Sequence, residues 1–166
     1  MANEIVLYVE DEENDVIFMK MAFSHGGLAQ TLRTVKDGGE AIHYLSGQGA
    51  YADREHNPMP RAVLLDLNLP VVSGFEVLKW IGARAELADL PVLIFSSSSR
   101  DEDKKKALEL GAVEFWEKPN SALQFRDIAQ KLAEEWLGVR YASPDVPIPA
   151  ELRTNQPENS GSYPHN

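Results

Sequence analysis

None of the 166 residues is cysteine. A disulfide framework and a thiolate metal site are both excluded. No apolar run is long enough to span a bilayer, and the opening Met-Ala-Asn-Glu carries no basic segment of a secretory signal. The expectation is a cytoplasmic protein with no membrane partner. Positive charge is also scarce, with 16 Lys and Arg against 26 Asp and Glu and a net charge of −10. Nucleic-acid binders set Lys and Arg against phosphate, so no nucleic-acid partner is expected. The one basic run, Lys104–Lys106, follows Asp101, Glu102 and Asp103 and reads as a solvated helix face.

What the chain does have is a regular alternation of short apolar runs and amphipathic stretches. Ile5–Val9 reads as a strand and runs into Glu10-Asp11-Glu12-Glu13. A helix over about 14–25 follows, stopped by Gly26-Gly27. Thr31–Val35 is a half-exposed strand, and Asp37 with Glu40 opens a second helix. Gly47–Pro60 is a long loop. Val63–Asp66 is a strand buried on both faces, and Ser73 with Glu76 gives the capping-box spacing of a third helix. Pro91–Phe95 is the fourth strand, with Ser99 and Glu102 placed to cap the next helix and Gly111 to stop it. Val113–Glu117 is the fifth strand. Ser121 and Gln124 open a last helix whose Phe125, Ile128, Leu132 and Trp136 share one face, with Gly138 as its stop. Five strands alternating with five helices call for an α/β fold with a doubly wound parallel sheet. The domain is expected over residues 1–137. Residues 138–166, rich in Pro, Ser and Asn, read as an extended tail in which Tyr141, Val146, Ile148 and Leu152 are the side chains expected to pack on something.

Such winding collects strand ends at one edge of the sheet. Glu10 and Asp11 end the first strand, Asp66 the third, Ser96 the fourth and Lys118 the fifth. Carboxylates brought together repel one another unless a cation sits among them, and an all-oxygen donor set suits Mg²⁺. The carbonyl of Asn68 is near enough in sequence to add a ligand. An isolated Asp66 would read as a helix cap, but Ser73 already fills that role. Lys118 taken alone would be a surface lysine. Trp116 and Trp136 read as packing residues, and the four histidines have no ligand spacing.

Taken together, Glu10-Asp11, Asp66-Leu67-Asn68-Leu69-Pro70 with Gly74, Ser96-Ser97 and Lys118-Pro119 resemble a response-regulator receiver domain of two-component signalling. The long loop before the third strand, with its Tyr-Ala-Asp, resembles the small stand-alone regulators paired with bacterial and cyanobacterial phytochromes. The resemblance implies the flavodoxin-like strand order 2-1-3-4-5. It implies Asp66 as acceptor of a phosphoryl group from a sensor histidine kinase, a bacteriophytochrome among the candidates. It assigns Mg²⁺ to Glu10, Asp11, Asp66 and the Asn68 carbonyl, and the phosphoryl oxygens to Lys118, Ser96 and the Ser97 N–H. Ser96 and Phe115 would form the switch, and the Lys118–Pro119 bond would be cis. The chain departs from the commonest pattern by Glu10 for Asp, Ser96 for Thr and Phe115 for Tyr. Output is then expected through protein contact rather than as an enzyme, self-phosphotransfer and slow autodephosphorylation apart. A homodimer is expected through the face of the fourth helix, fifth strand and fifth helix, and Ile17 and Met21 are expected to meet the kinase. The alternative is a phosphorylation-independent pseudo-receiver acting as an interaction module. A haloacid-dehalogenase-type phosphatase would need an acid where Asn68 stands. A flavodoxin-like cofactor carrier would need small residues where Glu10–Glu13 stand.

Overall fold

The computed structural model describes residues 4–142. Five short strands, β1 (Val6–Val9), β2 (Leu32–Val35), β3 (Ala62–Leu65), β4 (Val92–Ser96) and β5 (Glu114–Glu117), make one parallel sheet in the order β2-β1-β3-β4-β5. β1, β3 and β4 are buried at every residue, as their unbroken apolar runs require in a sheet covered on both faces. β2, on an edge, buries only its two end residues, Leu32 and Val35. Helices α1 (Glu13–His25) and α5 (Phe125–Lys131) cover one face, and α2 (Gly38–Ser46), α3 (Gly74–Gly82) and α4 (Asp101–Glu109) the other. α5 runs on through Leu132–Leu137 with wider turns and ends at Gly138 in the left-handed conformation, φ +67°. Among the described residues no helix is long and apolar enough to cross a membrane.

The two cores follow from the two-residue period of a strand. Val6, Tyr8, Leu64, Leu93, Phe95 and Trp116 face α1 and α5, while Leu7, Val9, Val63, Leu65 and Ile94 face α2, α3 and α4. α1 is apolar on more than one side. Met19, Ala22 and Phe23 are buried, yet Ile17 and Met21 are exposed to 51% and 64%.

Capping agrees with the sequence at α2 and α3. Asp37 accepts from the Glu40 amide at 2.7 Å, and Ser73 and Glu76 form a reciprocal capping box. Three expectations are corrected. α4 is not capped by Ser99: the Ser98 hydroxyl accepts from the Arg100 amide and donates to Asp103 Oδ2 at 2.6 Å, so the helix opens at Asp101. Ser121 caps a short turn by accepting from the Leu123 amide, and α5 starts beyond it at Phe125. Every peptide bond among the described residues is trans, Lys118–Pro119 included, as most X–Pro bonds are. Tyr141 is buried as expected, whereas Val146, Ile148 and Leu152 lie outside the described residues.

Candidate phosphoacceptor site

The same period that sorts the core builds the site. Glu10 continues the row of Tyr8, Asp66 that of Leu64 and Lys118 that of Trp116, so all three leave the sheet toward α1. Ladder hydrogen bonds persist one residue beyond the strands: the Glu10 amide donates to Val35 O, that of Asp66 to Val9 O, and that of Lys118 to Ser96 O at 2.8 Å. Positions of the acidic and basic groups are thereby set by the sheet rather than by loops. Behind Asp66 the first turn of α3 comes so close that a Cβ on Gly74 would lie 2.1 Å from the Asp66 carbonyl oxygen, so only glycine fits.

Lys118 Nζ is the hub. It lies 2.7 Å from Glu10 Oε2, 2.8 Å from Asp15 Oδ2 and 3.2 Å from Asp66 Oδ2. Glu10 and Asp66 are nearly sealed from solvent, at 1% and 3% exposure. Their other oxygens are also occupied: the Glu12 amide donates to Glu10 Oε1 and the Asn68 amide to Asp66 Oδ1. Burial and the neighbouring Asp66 charge push the Glu10 carboxyl up to about 7, despite hydrogen bonding from Lys118. Burial opposes the Lys118 charge, but hydrogen bonds to Asp15 and Glu10 and the charge of Asp66 outweigh it and hold the ammonium above its ordinary range. The Tyr8 hydroxyl donates to Glu10 Oε2 at 3.2 Å. Burial, with the charges of Glu10 and Asp15, keeps that phenol protonated far above its ordinary range.

One oxygen each from Glu10, Asp11 and Asp66 lie within 4.8 Å of one another. With Asp15 they make four acids at one edge, three of them on the Lys118 ammonium, a donor set of hard oxygens short of positive charge. It fits a divalent cation. Ser96 is fully buried and its hydroxyl accepts from the Ser98 amide at 3.2 Å. Ser97 and Asn68 are exposed at the rim. Phe115 is half-buried on the opposite face of the sheet from Lys118. It pairs with Ile94, two residues before Ser96 and on the same side, and the Lys104 ammonium stands 5.8 Å from its ring. The strands thus bring Glu10, Asp11, Asp66, Ser96 and Lys118 to one edge, as the sequence leads one to expect.

Two participants were not legible as such. Asp15 looks like one more acid after an acidic run. Its signal is its place in the first turn of α1, the helix that follows directly on the acidic end of β1. Tyr8 reads as a core aromatic, and only its two-residue offset from Glu10 on a strand indicates that its hydroxyl reaches that carboxylate.

Residues 6–130 match the family model described as the response regulator receiver domain. The chain is 32% identical over 137 residues to the probable methanogenesis regulatory protein FilR2 of Methanothrix harundinacea, covering 81% of this chain and 84% of that one. It is 29% identical over 134 residues to the response regulator Rcp1 of Synechocystis, covering 81% and 89%. A crystal structure of the Mn²⁺-bound form of Rcp1 superposes with a TM-score of 0.71 at 28% identity, over 84% of this chain and 99% of that one. The phosphorylated cyanobacterial phytochrome response regulator RcpA superposes with a TM-score of 0.75 at 31% identity, over 86% and 100%. With the sheet order, the acidic edge and these likenesses in agreement, the chain belongs to the response-regulator receiver family and has phytochrome response regulators among its relatives.

Proposed function

We propose that this protein is a phosphoryl-accepting switch in which Asp66 takes the group from a phosphohistidine of a sensor histidine kinase, a phytochrome-type kinase by likeness to RcpA. The observation that carries the reading is the nearly buried Asp66 carboxylate held 3.2 Å from the Lys118 ammonium beside two further acids. An Asp66 oxygen attacks phosphorus, the P–N bond breaks, and its electron pair returns to the imidazole. Lys118 pairs with a phosphoryl oxygen once Asp66 has become the acyl phosphate. The Ser96 hydroxyl and the Ser97 N–H supply donors to the others, since a hydroxyl that now only accepts from Ser98 has its proton free for an incoming acceptor. Glu10, Asp11, Asp66 and the Asn68 carbonyl are the groups that would hold Mg²⁺, which supplies charge compensation for the transferring phosphoryl oxygens.

The phosphoryl group brings extra negative charge and three strong acceptors to the edge of β3. Ser96 moves toward it, and Phe115, on the same side of the sheet, takes the space left. The surface of α4, β5 and α5 shifts between two packings, and that surface is the proposed homodimer face. Phe115 has no hydroxyl to anchor either state. Ile17 and Met21, exposed on α1 beside the site, are the proposed kinase contacts, and the setting is cytoplasmic.

Incubation with Mg²⁺ and acetyl phosphate tests the reading by intact mass. One added phosphoryl group is expected, and none with Asp66→Asn. No mass gain in either protein would leave the pseudo-receiver, an interaction module independent of phosphorylation, as the better description.

A further inference from the structure

The polypeptide beyond α5 returns across the molecule. After the turn at Gly138 it meets the C-terminal end of α1, where the Tyr141 hydroxyl donates to the Ala22 carbonyl at 2.7 Å. The Tyr141 ring lies against Gly26, so close that a Cβ there would fall 2.2 Å from it. The Ala142 amide then donates to the Gly26 carbonyl at 3.1 Å. The last described residue is therefore pinned beside His25.

His25 also marks one end of an open groove between α1 and the start of α5. Its apolar floor and walls include Phe18, Met21 and Leu123, and its polar rim includes Lys20, His25 and Arg126. Met21 and Leu123 are exposed to 64% and 67%. Among the described residues no acid lines the groove, on a protein whose net charge is −10.

We propose that the segment Ser143–Leu152 folds back into this groove of its own molecule. Four observations select this occupant. The described chain ends at the groove's mouth. From His25 to Phe18 is about 10 Å along α1 at 1.5 Å per residue, a distance that four or five extended residues cover at about 3 Å each. The segment, Ser-Pro-Asp-Val-Pro-Ile-Pro-Ala-Glu-Leu, offers Val146, Ile148 and Leu152 to the apolar wall. It offers Asp145 and Glu151, with no Lys or Arg, to the basic rim. Three prolines stiffen it, so less freedom is lost on docking. A tether this short places the segment at an effective concentration in the millimolar range, which favours its own groove over that of a second copy.

Docking there covers Met21, which the proposed function gives to the kinase, so the tail would slow phosphoryl transfer from the kinase without touching Asp66. That consequence rests on the proposed function; the docking itself does not. Because the chain has no cysteine, Ala150→Cys accepts a single nitroxide label in the full-length protein. The Met21 methyl and Leu123 amide resonances are expected to broaden several-fold against the reduced label, with the Gly82 amide on the far side of the sheet unaffected. The effect should persist on dilution and be relieved by Val146→Ser with Leu152→Ser. Absence of broadening overturns the proposal. So does broadening that appears only between labelled and unlabelled molecules mixed together, which would seat the tail on a second copy. Acetyl phosphate labelling of the same proteins, read by mass, should be unchanged by the tail substitutions. Its loss in every variant would count against the proposed function alone.

Discussion

Val71 is the one non-glycine residue among those described with a positive φ, +63°, and its side chain is fully exposed. The Val72 amide donates to the Pro70 carbonyl at 2.7 Å across it, a tight turn that sends the chain from the acidic edge into α3. A β-branched residue in that conformation costs about 1–2 kcal/mol, and no packing offsets it. Val71→Gly removes the strain but adds freedom to the unfolded chain worth about 0.5–1 kcal/mol. A net gain of about 0.5–1 kcal/mol is expected, read as a higher urea midpoint with an unchanged slope. A fall in the midpoint would mean that the Val71 side chain has contacts that its exposure hides. Glu10 makes a second residue-scale case. Its carboxyl is pushed up to about 7 when folded, above the ordinary carboxylate value near 4.5. The folded state binds that proton more tightly than the unfolded chain, so this contribution to stability is complete below about pH 4.5 and is lost as pH rises through about 7. For the metal-free protein, the stability difference between it and Glu10→Gln should shift against the parent by at most about 1.4 kcal/mol per pH unit across that window. Chemical denaturation at a series of pH values measures it. A difference that is flat with pH would mean Glu10 is ionised throughout.

At the scale of elements, what the sequence discloses depends on whether an element's pattern is local. β1, β3 and β4 are readable because strands covered on both faces must be apolar at every position, and α3 because Ser73 and Glu76 carry their capping box within four residues. The start of α4 is not readable in that way. Ser99 has the capping-box spacing to Glu102, yet α4 opens after Arg100 with no side-chain cap, and it is the neighbouring Ser98 hydroxyl that engages Asp103. The acidic edge is legible as a set of strand ends, but Asp15 joins it only because β5 delivers Lys118 above the first turns of α1. The return of the chain after α5 is likewise tertiary. Tyr141 stands out in a polar tail, yet nothing near it names Gly26 as its seat. That seat predicts a coupling. Gly26 has φ −79° and ψ 2°, which alanine adopts freely, so Gly26→Ala is harmful only through the Tyr141 ring. Overpacking of this kind costs about 1–3 kcal/mol. In a Tyr141→Ala background, itself destabilised by about 3 kcal/mol, the same substitution should be neutral or stabilising by up to about 1 kcal/mol. A double-mutant cycle on denaturation midpoints decides between coupling and simple additivity, and additivity would place the ring elsewhere.

For the molecule as a whole, the acidic edge is a standing electrostatic load that the fold carries for its chemistry. Glu10, Asp15 and Asp66 share one ammonium, and Asp11 stands beside Glu10 and Asp66 with no ion pair to Lys118 among the described residues. Two of these carboxylates are almost fully buried, where dissolved salt screens little. Removing one negative charge should therefore help the metal-free fold: Asp66→Asn leaves Lys118 its bonds to Glu10 and Asp15 and is expected to stabilise by about 1–2 kcal/mol, the trade-off of a functional site against stability. A divalent cation should relieve the same load without mutation. At a hundredfold excess over its dissociation constant it stabilises by about 2.7 kcal/mol, or roughly 5–10 °C in melting midpoint for a chain of this size. Mg²⁺ should thus raise the melting midpoint of the parent, NaCl at matched ionic strength should not, and Asp66→Asn and Asp11→Asn should each lose most of the Mg²⁺ shift. Calorimetric scans with and without the ion make the comparison. Should Asp66→Asn melt lower than the parent without metal and still respond fully to Mg²⁺, the crowding of carboxylates at this edge would be neither a strain on the fold nor a cation site, and the phosphoacceptor assignment would lose its physical basis.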